Sequence, residues 1–135
     1  MKLMSRVIFR RALLLGSAAL LLYSCAGKLS PAEQASVHHV VLAWLAEPGD
    51  AGARQKIIAI SKSFAAIPGV MHVHAGHVMA SERDIVDDSF DIGIIVTFPD
   101  RAAMESYLTH PTHTHAVREI INPLVRKIVV YDFSE

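Results

Sequence analysis

The chain has 135 residues, of which 52% are hydrophobic, and its 13 basic side chains equal its 13 acidic ones. This balance gives no electrostatic indication of nucleic-acid binding, and the length suits one domain with a single core. One cysteine alone is present, so an intramolecular disulfide is excluded.

The N-terminus predicts a bacterial lipoprotein signal peptide over residues 1–24. Basic residues, with no acidic one among them, precede an apolar run from Ala12 to Leu22. A transmembrane helix needs roughly 20 apolar residues, so this run is too short to be one. The sequence Leu22-Tyr23-Ser24-Cys25 resembles the lipobox, in which the cysteine is acylated before cleavage. An ordinary signal peptide with an incidental cysteine is the alternative.

Residues 25–36 are predicted to form a lipidated tether, because they are short, polar and contain Pro31. Several acyl chains on Cys25 would hold the protein in the bacterial cell envelope, on a periplasmic face or at the cell surface. Ala26 is not an acidic retention residue, so the outer membrane is expected in a cell with two membranes. The folded domain is predicted to comprise residues 37–135.

The first half of the domain alternates between strand and helix patterns. Val37 to Leu45 is apolar on both faces and rich in β-branched residues, which predicts a buried strand. Asp50 is the predicted N-cap of a helix that continues until Pro68-Gly69. Val70 to Met79 alternates well enough to predict a second strand.

Two successive helices are predicted after the third strand. Asp91 to Phe98 alternates as a strand does, and the helix that follows extends from Asp100 to about Thr109. Pro111 suits the first turn of another helix, which Pro123 limits. One stripe of that helix consists of His113, Val117 and Ile120.

The closing segment, Leu124 to Phe133, is predicted to be a fourth strand. The order β-α-β-β-α-α-β favours an α+β, ferredoxin-like fold: a four-stranded antiparallel sheet with helices on one face. Because the first and last strands are apolar on both faces, we expect the face without helices to pack against a second copy in a symmetric homodimer.

Several short segments of the domain resemble a known family. They are His39-Val40-Val41-Leu42, Ile67-Pro68-Gly69-Val70, Asp91 with Val96-Thr97-Phe98, Tyr107-Leu108-Thr109-His110-Pro111-Thr112-His113, and Ile128-Val129-Val130-Tyr131-Asp132-Phe133. Together they resemble the stress-responsive A/B barrel (Dabb) domain over about Val37 to Phe133. The resemblance implies a dimeric α/β barrel.

One plant member of this family is a polyketide cyclase that performs an aldol condensation with a tyrosine and a histidine. The resemblance places these two groups at Tyr107 and His113, with a further pocket histidine at His39. A histidine can remove a proton α to a carbonyl while a phenol donates to the developing enolate oxygen. The resemblance also places His110 and Ile92 in a ligand site. At the position of Ile92 the cyclase has a histidine.

Structural roles for the same residues stay open. Tyr107 could pack its ring in the core, His39 could be a hydrogen-bonded core histidine, and His110 could complete the turn between two helices.

A metal site is not predicted, although the chain contains eight histidines. His72 and His74 share one face of their strand, but His77 falls on the other. His113 and His115 diverge on a helix, so no compact set of three ligands arises. No cofactor is predicted.

Two functions from different classes are therefore considered. The first is a binding module that holds a small, mainly apolar molecule between sheet and helices. The second is a cyclase-like enzyme with His113 as base, Tyr107 as acid and His39 as a positioning group. Export separates the protein from cytoplasmic polyketide intermediates and favours binding, while a purely structural envelope protein is a third alternative.

Overall fold

A computed structural model describes residues 36–135. The elements are β1 (Val37–Leu45), α1 (Ala51–Ser63), β2 (His72–His77), β3 (Ile92–Phe98), α2 (Arg101–Thr109), α3 (Pro111–Ala116) and β4 (Val125–Ser134). Their order is the predicted one. The signal peptide, the lipidation of Cys25 and all of the tether except Ser36 lie outside the described residues.

The four strands form one antiparallel sheet in the order β2-β3-β1-β4. This is the topology of a ferredoxin-like α+β fold, and it confirms the predicted fold class. β1 and β3 occupy the centre, which explains why both read as apolar strands. Val37 lies opposite Phe98 on one side and Ser134 on the other, so β1 is bonded along its length to two neighbours.

Both predicted aspartate caps begin their helices. Asp50 accepts a hydrogen bond from the backbone N–H of Ala53 at 2.9 Å, and Asp100 accepts one from Ala103 at 2.8 Å. Each bond satisfies an N–H group that has no partner inside the helix.

The predicted bounds of two elements were too generous. α1 ends at Ser63 and is followed by a single 3-10 turn, Phe64–Ala66, before Pro68 is reached. β2 begins at His72 and not at Val70, because the N–H of Val70 donates to Ile67 and closes the preceding turn. It also ends at His77, two residues before the predicted Met79.

The segment after α3 departs from a regular helix. Residues Val117–Ile121 form a wider π-helical turn, in which the N–H of Asn122 donates to the carbonyl of Val117. The wider turn shifts the helical phase by one residue. Ile121 therefore lies in the core where the sequence pattern placed Ile120, and the predicted stripe is wrong at that position.

The core lies between the sheet and the helices. Its largest fully buried members are Tyr107, Phe98, Leu45, Ile57, Ile92 and Val96. The even-numbered residues of β3 all point into it, which is the alternation that a strand with one covered face requires. Within residues 36–135, no helix is long and apolar enough to cross a membrane.

The opposite face of the sheet is not covered by helices and is apolar. Its middle row contains Tyr131, Val40, Ile95 and His74, which lie side by side across the four strands. Ile95 is 39% exposed, Tyr131 58% and Phe133 53%. We call this surface the outer face. The apolar side chains expected on it are present, beside His38, His72 and His74 on the same face. Exposed apolar surfaces of this kind mark interaction sites.

Replacing Gly69 with alanine is expected to destabilise the domain by about 2 kcal/mol. Gly69 has a φ of 88°, which costs an L residue roughly 1 kcal/mol or more. A Cβ added there would also lie 3.3 Å from the Cβ of Ala103. Urea unfolding measures the loss.

Gly49→Ala is the matched control, because Gly49 has a similar φ of 84° but no atom within 4 Å of an added Cβ. It should lose about 1 kcal/mol, the backbone part alone. Equal losses in the two variants would show that crowding against Ala103 contributes nothing.

Candidate functional site

A cavity of about 210 Å³ lies between the sheet and the helical segment from α2 to α3. Its wall is apolar except for three side chains, His39, Tyr107 and His113. The apolar lining comprises Val41, Ala43, Phe64, Ile94, Val96, Leu108, Val117, Ile121, Ile128 and Val130. Ile128 and Val130 belong to the edge strand β4 and are partly exposed, so the cavity opens there.

His39 is held in place by a carboxylate on the neighbouring strand. The register of β1 and β4 puts His39 directly opposite Asp132, and the His39 Nδ1 lies 2.7 Å from the Asp132 Oδ1. A carboxylate accepts hydrogen bonds, so Nδ1 carries the proton and Nε2 is left for another partner. Asp132 was not predicted as a site residue. The signal that could have identified Asp132 was the antiparallel pairing of the first and last strands.

Tyr107 is buried among aromatic rings and is 2% exposed. Its ring centroid lies 5.0 Å from that of Phe98, 5.9 Å from that of Phe64 and 4.3 Å from that of His113. Burial raises the pKa of the Tyr107 phenol well above its usual value of 10.0. The hydroxyl therefore stays protonated at neutral pH and can donate a hydrogen bond.

His113 is held by a backbone carbonyl. Its Nδ1 lies 3.2 Å from the carbonyl oxygen of Leu108, and this oxygen can only accept, so Nδ1 carries the proton. Burial lowers the pKa of the imidazole; the Leu108 bond opposes this shift, and the His39 and His110 imidazoles reinforce it. The ring is therefore neutral near pH 7, and Nε2 is an acceptor.

The structure brings three of the predicted site residues together. His39 and Tyr107 have ring centroids 6.2 Å apart, and Tyr107 contacts His113. The wall of one cavity thus contains a donor hydroxyl and an unprotonated imidazole nitrogen, the two kinds of group that acid–base chemistry requires.

The other two predicted ligand-binding residues do not line this cavity. Ile92 is fully buried in the core, opposite Ala43 on β1. His110 lies between α2 and α3, where its side chain caps α3. No group of three or more potential metal ligands occurs within residues 36–135.

The family follows from a match over nearly all of the described domain. The model of the stress-responsive A/B barrel domain, Dabb, matches residues 37–135. The chain belongs to the Dabb family. Among curated proteins, none shows a significant match to it.

Solved structures share the fold of this Dabb domain. A Dabb-family protein from Mesorhizobium loti with a ferredoxin-like fold is 26% identical, with a TM-score of 0.62 over 74% of this chain and 96% of that one. A dimeric ferredoxin-like protein of unknown function from Thermobifida fusca is 18% identical, with a TM-score of 0.61 over 76% and 93%. A hydroxynitrile lyase from Passiflora edulis is 21% identical, with a TM-score of 0.64 over 74% and 93%.

Proposed function

We propose that the protein is a lipid-anchored homodimer that binds a small, mainly apolar molecule between sheet and helices. The observation that carries this proposal is the apolar cavity with His39, Tyr107 and His113 in its wall. Binding sites for small molecules commonly combine an apolar lining with a few polar groups. Neither lysine nor arginine lines the cavity, so the polar group of the ligand is expected to be neutral or weakly acidic.

The outer face supports the homodimer. It exposes Ile95, Tyr131 and Phe133 together, and a second copy would remove these side chains from water. The similar structure from Thermobifida fusca is described as dimeric.

The sequence before the domain supports the anchor. Cys25 follows a lipobox-like triplet, and the segment from Ala26 to Ser36 would connect the acylated cysteine to β1. We propose that this attachment keeps the domain at the cell envelope, at the outer membrane in a two-membrane cell.

Mass spectrometry of the protein extracted from its own membrane in mild detergent tests all three parts. Under native conditions we expect a dimer with a reproducible extra mass. After denaturation we expect a chain that starts at Cys25 and carries acyl chains. An empty cavity in every preparation would contradict binding, and an unmodified Cys25 would contradict the anchor.

Val117→Phe is designed to fill the cavity from the π-helical turn after α3, because Val117 lines it. Overpacking should weaken ligand retention at least about tenfold without dissociating the dimer. Ile120→Phe is the control, since Ile120 lies on the same helical segment but outside the cavity lining. Equal retention by both variants would place the ligand elsewhere.

An enzyme resembling the polyketide cyclase is the second candidate. It is favoured by the lowered pKa of His113 and by the protonated Tyr107 phenol beside it. His113 would remove a proton α to a carbonyl, and Tyr107 would donate to the developing enolate oxygen in an aldol-type ring closure. The hydroxynitrile lyase of Passiflora edulis shows that this fold can carry an enzyme. Recovery of the identified ligand unchanged after incubation with the protein would support binding alone.

A further inference from the structure

The break between α2 and α3 falls at His110, which ends one helix and begins the next. Its backbone N–H donates to the carbonyl of Tyr107 at 3.0 Å, and its Nδ1 accepts from the N–H of Thr112 at 3.2 Å. The imidazole thus acts as the N-cap of α3. This position is usually occupied by serine, threonine, aspartate or asparagine, so the histidine calls for an explanation.

The carbonyl of Leu108 is left without a backbone donor by this break. In a continuous helix it would accept from the N–H four residues later, that of Thr112. His110 is extended, with a ψ of 134°, as a residue before proline tends to be, and the Thr112 N–H therefore turns away from Leu108 and donates to the His110 Nδ1. Pro111, three residues later, has no N–H to offer. The carbonyl instead accepts from the Nδ1 of His113 at 3.2 Å.

We propose that His110 is a positioning residue: by capping α3 it fixes the first turn of that helix, so that His113 bonds the Leu108 carbonyl and presents its Nε2 to the cavity as an acceptor. This inference deepens the proposed function. It rests on that function only in assuming that a bound ligand meets the His113 Nε2. His110 does not line the cavity, so we do not expect it to contact the ligand.

The arrangement requires opposite neutral tautomers in two rings that are three residues apart. His110 accepts at Nδ1 and therefore carries its proton on Nε2. His113 donates at Nδ1 and therefore leaves Nε2 unprotonated. Both assignments follow from the chemistry of the bonding partners, and both are directly measurable.

Nitrogen-15 NMR of the imidazole rings tests the inference on the protein without added ligand, at about pH 8.5, where imidazoles are neutral. The unmodified protein should show the Nδ1–H form of His113 and the Nε2–H form of His110. In His110→Ala the first turn of α3 loses its cap, so His113 is held less firmly against the Leu108 carbonyl. The ratio of Nδ1–H to Nε2–H forms at His113 should then fall about fivefold, the size of effect that one neutral hydrogen bond supplies.

His110→Asn should restore the ratio, because asparagine is an effective N-cap with a different side chain. His115→Ala, which removes a histidine from the same helix, should leave it unchanged. An Nε2–H form of His113 in the unmodified protein would overturn the inference, whether or not any variant folds. So would an unchanged ratio in His110→Ala, or a failure of asparagine to restore it. None of these outcomes depends on ligand binding, which the cavity-filling variant tests separately.

Discussion

Replacing Ile95 with aspartate is expected to convert the proposed homodimer into a monomer. Ile95 lies in the middle row of the outer face, beside Val40 and His74, and the proposed interface would bury it in both copies. An unpaired carboxylate costs about 3 kcal/mol when buried, so two copies would cost about 6 kcal/mol. That corresponds to a dissociation constant weakened roughly 10⁴-fold.

Sedimentation velocity in density-matched detergent measures the change, with circular dichroism to establish that the monomer is folded. Ile85→Asp is the matched control, because Ile85 lies in the loop between β2 and β3 and is 91% exposed. It should remain dimeric. A dimeric Ile95→Asp protein would show that the outer face is not the interface.

Replacing Ile92 with alanine is expected to reduce the free energy of unfolding by about 2–5 kcal/mol. Ile92 is 0% exposed and packs in the core at the start of β3. Two effects contribute to this loss. The removed atoms no longer gain free energy by leaving water on folding, and their removal leaves a cavity in the core. Ligand retention should be unchanged in the folded fraction, because Ile92 does not line the site cavity. Urea unfolding and native mass spectrometry measure the two effects.

Ile85→Ala removes the same atoms from an exposed position and should cost less than about 0.5 kcal/mol. If Ile92→Ala lost most of its ligand but kept its stability, the result would show that Ile92 belongs to the binding site. The resemblance to the family implied that role for Ile92. Ile92 instead lies outside the cavity lining and packs in the core.

Local patterns in the sequence were sufficient to predict the order of the elements. The alternation in β3 and the aspartate N-caps of α1 and α2 each involve residues that are close along the chain. These predictions therefore do not depend on contacts between distant residues. The phase of the segment after α3 was wrong because a π-helical turn leaves the apolar spacing nearly unchanged in the sequence.

The polar details of the site depend on contacts that local patterns do not contain. The pair formed by His39 and Asp132 spans 93 residues and requires the register of two strands. The capping bond of His110 requires a particular side-chain rotamer. Resemblance to a family located Tyr107 and His113, whereas only the structure shows which nitrogen of His113 is free.

The position of β1 has a mechanical consequence. The proposed tether enters the domain at Val37, so any pull from the membrane passes first into β1, which is bonded to β3 on one side and to β4 on the other. A force along this strand loads both ladders in shear, and their hydrogen bonds must break together. An edge strand in the same place would be held on one side only, whereas the attachment point here is a strand held on both sides.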